Sequence, residues 1–296
     1  MNTRSSAMSG SSCDSQISES QGIAPAIVRA TQPFYWSVRR ELWEHRSIYI
    51  APLAVAVVTL FGYVIALMIR GVVLLQPFSF AASMIMMAAF IVSIFYSLET
   101  LHGERRDRSI LFWKSLPVSD LTTVLSKASI PLIVLPLVGF AIIVATELIM
   151  LLLGSLVLMG RGLNVATLWT PVFRMWPMLL YHLVTVHMLW YAPMYGWLLL
   201  VSAWARRAAF LWAALPWLAI CAVEKIAFNT TRFAAMLGYR FAGGPEAIPG
   251  VDSFFDPMTQ LTPGRFLSSP GLWIGLAVTA AFLAGAVRLR RCQGPI

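Results

Sequence analysis

The sequence predicts an all-α integral membrane protein with six transmembrane helices. Of its residues, 58% are apolar and only 12% are charged, whereas a soluble domain carries about a quarter charged residues. Its mean hydropathy is +0.74. A bilayer core about 30 Å thick needs about 20 helical residues, and six apolar stretches meet that length or come close to it. The predicted spans are residues 49–70, 78–98, 129–158, 176–204, 208–228 and 270–289.

Two segments precede the first span. Residues 1–32 are rich in Ser and lack the apolar core of a signal peptide, so we expect a disordered tail. Residues 33–48 place aromatic side chains at helical spacing opposite charged ones, which predicts an elbow helix lying in the headgroup layer. A plain extension of the first span is the alternative. The elbow is defined by Arg40, Glu41, Trp43, Glu44 and Arg46.

The distribution of basic residues predicts the orientation. Fifteen of the 22 Lys and Arg residues lie before the first span, between spans two and three, between spans four and five, or after the sixth span. By the positive-inside rule these regions face the cytoplasm, which places both termini there. Because the basic residues cluster at the ends of apolar runs, we expect them to meet lipid headgroups and expect no nucleic-acid partner.

The loop between spans two and three, residues 99–128, is the most informative segment. A mixed-charge run over 104–108 is followed by Phe112, Trp113 and Leu116, which form one apolar face of a short helix ending at Pro117. A loop this short between two spans cannot build a core of its own. The apolar face must therefore contact lipid or another protein, and we favour a protein partner.

This order of segments, with the loop pattern, resembles the permease subunits of type 2 ATP-binding-cassette (ABC) exporters. The matching loop residues are Glu99, Glu104, Arg105, Arg106, Ser109, Leu111, Leu116, Pro117, Val118, Ser119 and Lys127. The resemblance implies a coupling helix, 104–117, that inserts into a cleft of an ATPase subunit. It also implies two permeases, as a homodimer or a pseudo-symmetric heterodimer, with two ATPases in the bacterial inner membrane. The coupling residues would be Glu104, Arg105, Arg106, Arg108, Phe112, Trp113, Leu116 and Pro117.

The sequence contains no G-x4-G-K-[S/T] motif, the loop that cradles nucleotide phosphates. We therefore expect ATP and Mg²⁺ to bind the partner ATPase, with no catalytic residue, cofactor or metal in this chain. Since the spans carry few charges, the expected cargo is an amphiphilic or hydrophobic solute such as a lipid, a peptide or a drug.

Two other functions compete with this interpretation. His102 and Asp107 match an H-x4-D pattern that resembles lipid acyltransferases, in which the carboxylate orients the His as a general base. No downstream glycerolipid-binding motif accompanies the pattern. A secondary transporter without an ATPase is the other alternative, although neither an inverted repeat nor a relay of buried acids and bases is visible.

Ionisable residues within or beside the spans are candidates for a gate, because buried charge in a membrane is costly. Glu147 is expected near the outer leaflet, where it would pair with Lys225 or Arg174, either as a gate or as a structural ion pair. Residues five apart on an α-helix are separated by about 140°, so His182 and His187 should face apart and not share a metal. Met84, Met86 and Met87 show no cofactor-like spacing and are expected to pack, to anchor at interfaces or to line an adaptable apolar path. The candidate gate residues are Glu147, His187, Glu224 and Lys225.

The outer loop, residues 229–269, contains many Gly and Pro residues, which exclude one continuous helix. The family resemblance implies short re-entrant helices here that close an outer gate. An irregular loop is the alternative.

Overall fold

Helices are the only regular secondary structure in the part of the chain that the structure, a computed structural model, describes: residues 31–70, 75–109, 118–241 and 263–292. Five of these helices are long and apolar enough to cross a membrane, or six if one bent pair is a single span. The prediction of an all-helical, multi-pass membrane protein is confirmed. Residues 1–30 of the predicted tail, the coupling residues Phe112, Trp113, Leu116 and Pro117, and the middle of the outer loop lie outside the described residues.

The first three helices are α1 (Thr31–Glu44), α2 (Ser47–Arg70) and α3 (Gln76–Arg106). A short break at His45 and Arg46 separates α1 from α2, so the helix predicted over 33–48 ends earlier than expected. Pro77 lies in the first turn of α3, where its missing N–H costs no helical hydrogen bond. α3 continues past residue 98, the predicted end of span two, so Glu104, Arg105 and Arg106 belong to this helix.

The third span is one long helical run with an irregular stretch near its start. α4 (Asp120–Ser129) is capped at its N-terminus by Ser119, whose hydroxyl accepts a hydrogen bond from the Thr122 N–H at 3.1 Å. A π-helical stretch, Ile130–Val134, then leads into α5 (Leu135–Gly160). Pro131 and Pro136 lack the N–H that an α-helix needs at these positions, which explains the local change of hydrogen bonding.

The fourth span begins earlier than predicted and is bent. α6 (Ala166–His182) runs into a second π-helical stretch, Leu183–Trp190, and then into α7 (Ala192–Trp204), with a bend of 43° between the two parts. Pro193, near the start of α7, cannot donate to the preceding turn, so the helix cannot continue straight through this point.

The remaining helices are α8 (Ala209–Phe228), α9 (Arg232–Phe241), α10 (Pro263–Ser268) and α11 (Pro270–Cys292). The predicted outer loop therefore contains two short helices, α9 and α10, within its described part. α8 and α11 match the predicted fifth and sixth spans within a few residues.

Packing centres on α3 and α7. α3 contacts α2, α5 and α7, and α11 packs along α7, where Gly196 lies against Thr279 and Phe282. Such small residues let two helices approach closely in a membrane. α8 lies at the periphery, with Ala213 as its one buried residue. At one end of the bundle α4 contacts both α1 and α11, which brings the two ends of the described chain together.

Candidate functional site

Four helices meet at a cluster of charged and polar side chains, most of them buried, that we call the ionic network: Glu41, Thr100, Glu104, Asp120, Lys127 and Arg290. Lys127 is at its centre and only 2% exposed. Its Nζ donates to Glu41 Oε1 at 2.6 Å and to Thr100 Oγ1 at 2.8 Å, and it lies 3.1 Å from Glu104 Oε1. One ammonium group therefore joins α1, α3 and α4.

Arg290 connects α11 to the same network. Its Nη1 pairs with Glu104 Oε2, and its Nε donates to Asp120 Oδ1 at 3.1 Å. The guanidinium group thus holds one carboxylate from α3 and one from the first turn of α4. Glu104 is shared between Lys127 and Arg290, so the two cations are coupled through a single side chain.

Glu41 is the carboxylate that ties α1 to the bundle. Its second oxygen accepts a hydrogen bond from the Tyr96 hydroxyl at 2.8 Å, and His45 Nδ1 lies 3.8 Å from the same oxygen. Burial alone would raise the pKa of Glu41, but the Lys127 ammonium and the hydrogen bonds of Lys127 and Tyr96 outweigh it and hold the pKa below its usual 4.5. Glu41 is therefore an anion at neutral pH.

The ionic network holds three carboxylates and two basic side chains, and all but Asp120 are buried. Burying charges is expensive, and a buried ion pair is often no more stable than well-packed apolar side chains of the same volume. Because the charged groups come from α1, α3, α4 and α11, their pairing constrains how these four helices can lie relative to one another.

A second set of contacts fastens the end of α3 to the end of α7. Ser202 Oγ donates to the Leu98 carbonyl at 2.7 Å and accepts from the His102 N–H at 2.9 Å. Arg105 Nη1 donates to the Ala203 carbonyl at 2.6 Å, and His102 Nδ1 lies 3.1 Å from the Ala205 carbonyl oxygen. Arg105 and His102 thus satisfy carbonyl groups at the C-terminal end of α7.

The described residues among those predicted to bind an ATPase divide into a buried pair and an exposed pair. Glu104 and Arg105 are buried against other helices of this chain, so their side chains position α3 and are not presented to a partner. Arg106 and Arg108 are exposed, and Arg106 contacts the neighbouring carboxylates of Glu99 and Asp107. Phe112, Trp113, Leu116 and Pro117 lie outside the described residues.

The predicted elbow residues divide in the same way. Glu41 is buried in the ionic network, while Trp43 is 71% exposed and Arg46 is exposed. Arg40 and Glu44 form an exposed ion pair one turn apart at 2.7 Å. α1 therefore has one buried anionic contact and an opposite face rich in aromatic and basic side chains.

The candidate gate residues are not gathered into one site. Glu147 is fully buried, and its Oε2 accepts a hydrogen bond from Trp176 Nε1 at 2.6 Å, so its partner differs from the expected Lys225 or Arg174. Glu224 accepts from the Arg232 and Phe233 N–H groups at 2.7 and 2.8 Å and thereby caps α9. Lys225 is exposed.

The expectation that His182 and His187 face apart is wrong. Residues 183–190 form a π-helix, in which hydrogen bonds join residues five apart. His187 therefore returns over His182, and their ring centroids are 6.0 Å apart. The sequence argument failed because it assumed α-helical geometry throughout this span.

The end of α9 is docked against the bundle. The Arg240 guanidinium lies 4.2 Å from the centre of the Trp190 ring and donates to the Gly271 carbonyl at 3.1 Å, while Trp190 Nε1 donates to the Arg240 carbonyl at 3.0 Å. Tyr191 OH donates to the Phe241 carbonyl at 2.8 Å. A β-carbon on Gly275 would overlap the Arg240 guanidinium, so any larger residue there would displace Arg240 from this docked position.

Sequence reasoning missed several members of the ionic network. Arg290 looked like a topology determinant because it stands beside Arg288 and Arg291 after an apolar run, and Asp120 looked like an ordinary loop residue. Thr100 and Tyr96 carried no signal. The usable clue was Lys127, a cation at the edge of a long apolar stretch that needed a buried partner.

No family model, curated protein or solved structure matches this chain. Its function therefore has to be inferred from the arrangement of its own residues.

Proposed function

We propose that this chain is the permease subunit of an ATP-driven exporter that resembles the type 2 ABC family. It would move an amphiphilic or hydrophobic solute outward across a bacterial inner membrane. We call residues 105–126 the coupling segment. The observation that supports the proposal most directly is that Glu104 and Lys127, which flank this segment, contact each other in the ionic network. Both ends of the segment are thus held by the same buried contact.

This arrangement suits the transmission of force. A partner can bias the conformation of a permease only through an element whose contacts differ between the partner's two states. A segment anchored at both ends on the ionic network would pass a displacement to α1, α3, α4 and α11 together. In this proposal Glu104 and Arg105 are positioning residues, and the partner contacts are made by Arg106, Arg108, Phe112, Trp113, Leu116 and Pro117.

The proposed assembly contains two permeases and two ATPases, with ATP and Mg²⁺ on the ATPases. The network end of the bundle, with both termini, would face the cytoplasm, and α1 would lie in the headgroup layer with Trp43 toward lipid. The largely exposed apolar surface of α8 is available to a second copy or to lipid. The docking of α9 against Trp190 and Gly271 supports a re-entrant outer segment.

The test is the retention of an ATPase by the purified chain. An affinity-tagged protein extracted from its native membrane in mild detergent should carry ATP hydrolysis activity, and Phe112→Ala/Trp113→Ala should lose most of it because a buried aromatic anchor is removed. Trp273→Ala, at the exposed start of α11, is the matched control. Equal ATPase activity in the double variant and the control would contradict docking at this segment.

Secondary transport is a second candidate, favoured by Glu147. This carboxylate is fully buried within a span, and its Oε1 has no hydrogen-bond partner among the described residues, as expected for an acid that binds and releases a proton. If the purified chain alone moved a lipophilic dye across proteoliposomes under a proton gradient, and Glu147→Gln abolished this, secondary transport would replace the ATP-driven mechanism.

The acyltransferase alternative has less support. A general base needs its orienting carboxylate within hydrogen-bond reach, yet His102 Nδ1 contacts the Ala205 carbonyl and Asp107 contacts Arg106. His102→Ala should weaken the junction between α3 and α7. Loss of an acyl-transfer activity in this variant would instead support the acyltransferase.

A further inference from the structure

A cavity of about 390 Å³ lies between α3, α6, the second π-helical stretch and the end of α9. Its lining is unusual in composition, since four thioethers and two imidazoles face one space. They belong to Met86, Met87, Met175, Met178, His182 and His187. Helix geometry explains this convergence, because Met175, Met178 and His182 are three or four residues apart and share one face of α6.

The π-helical stretch brings the second imidazole to the same cavity. Had the α-helix continued, His187 would have been turned about 140° away from His182. With hydrogen bonds joining residues five apart, the two rings instead meet edge to face with centroids 6.0 Å apart. π-helical turns are often found at functional sites, because they re-aim side chains at a cost in helix stability.

His187 is the group in this cavity that lacks a partner. Its side chain is more than nine-tenths buried, and its Nδ1 has no hydrogen-bond partner among the described residues. A buried polar atom without a partner in a native structure calls for an explanation, such as a bound ion. The Tyr191 hydroxyl at the same cavity is already used, since it donates to the Phe241 carbonyl.

The donor set selects among ligands. Among the described residues that line the cavity there is no Asp, Glu, Asn or Gln side chain, whose oxygens suit Mg²⁺ and Ca²⁺, and no Lys or Arg side chain that would bind an anion. Thioether sulfur is soft and polarizable, and together with imidazole nitrogen it favours Cu⁺ over harder cations. Methionine side chains are also flexible enough to adjust to the preferred geometry of an ion.

We propose that this cavity binds a single soft monovalent cation, Cu⁺, through Met thioethers and the His187 imidazole. This inference does not depend on the ATP-driven function, because it concerns a site among α3, α6 and the π-helical stretch and not the coupling segment. His182 and the remaining methionines would complete or adjust the coordination.

The test is anaerobic titration of the purified full-length chain with Cu⁺ against a colorimetric Cu⁺ chelator, and with Ag⁺ as a redox-inert probe. Cys13, Cys221 and Cys292 are replaced by Ser beforehand, because thiolates also bind Cu⁺. We expect one ion per chain, with sulfur and nitrogen ligands in X-ray absorption spectra. The variants Met86→Leu/Met178→Leu and His187→Leu should each weaken binding about tenfold or more.

Met159→Leu/Met236→Leu is the matched control, since both side chains are exposed and lie outside the cavity. Leu is close to Met in volume, so packing is preserved, and the thermal midpoint of each variant checks that it remains folded. The proposal is overturned if the cavity variants and the control bind Cu⁺ equally. It is also overturned if the chain with an intact cavity binds no Cu⁺. Binding of the neutral aromatic probe N-phenyl-1-naphthylamine that is lost in His187→Leu would then identify the cavity as a site for apolar molecules.

Discussion

At the scale of single residues, the protein depends on buried charges that pair with one another and not with water. Lys127 and Arg290 are almost fully buried, and the carboxylates of Glu41 and Glu104 take the place of water around them. Removing one member of such a set leaves the others charged and unsolvated, which costs more than the set contributes as a whole. Substitutions here should therefore have much larger effects than substitutions of neighbouring surface charges.

Arg290→Met should destabilise the protein by about 3–5 kcal/mol, because Glu104 and Asp120 lose their guanidinium partner. The measurement is unfolding in mixed micelles of increasing SDS content. Arg288→Met, an exposed cation two residues away, should change stability little. Adding Glu104→Gln to Arg290→Met should recover part of the loss, and a double variant with strictly additive losses would argue against a shared pair.

Glu41 predicts a pH dependence of stability. Since its pKa is lowered in the folded protein, its contribution is fully present above its ordinary value of 4.5 and is lost as the pH falls through the folded value. The thermal midpoint should therefore decline below pH 4.5, and Glu41→Gln should lower it at neutral pH and flatten that decline. Glu44→Gln, an exposed carboxylate on the same helix, should keep the decline unchanged.

At the scale of helices, the two π-helical stretches and the docking of α9 shape the interior. The second stretch ends at Trp190 and Tyr191, and both side chains hydrogen-bond to the end of α9. The irregular helix is thus stabilised by a neighbour that arrives about 50 residues later in the chain. Local sequence alone does not hold this segment in place.

Arg240→Met should loosen the end of α9, because it removes the cation–π contact with Trp190 and the hydrogen bond to Gly271. Hydrogen–deuterium exchange should rise by about tenfold or more at the backbone amides of α9. Arg232→Met, at the exposed start of the same helix, should leave exchange at Arg240 unchanged. If both variants exchanged alike, the docking of Arg240 would contribute nothing.

Sequence patterns predicted the helices well and their contacts poorly. Apolar length predicted most of the spans, and Pro77 lies in the first turn of α3, because bilayer thickness and backbone chemistry act locally. The break beside Pro193, inside the predicted span 176–204, was not predicted. The ion pairs could not be predicted, because Glu41 is 86 residues from Lys127 and Glu104 is 186 residues from Arg290. The pairing of His182 with His187 was missed because a π-helical stretch leaves no simple periodicity.

At the scale of the whole molecule, the bundle has a charged end and an apolar body. The proposed orientation can be tested with single cysteines in a chain whose native cysteines are replaced by Ser. Arg161→Cys should react with a membrane-impermeant maleimide in intact cells, whereas Arg207→Cys should react only after the membrane is opened, because basic loops stay inside. Both positions are exposed, so burial does not bias the comparison. The reverse labelling pattern would place the proposed coupling segment outside the cell and exclude an ATPase partner.

Arg290 lies on α11, which is synthesised after the helices that carry all of its partners in the ionic network. Until α11 is inserted, Lys127 is the one basic member of the ionic network that faces its three carboxylates, so this part of the nascent bundle holds an excess of negative charge where water is scarce. Its charged end can therefore close only after synthesis has passed residue 290. Chains that terminate earlier should be recognised by membrane proteases and degraded, even though every other span is present.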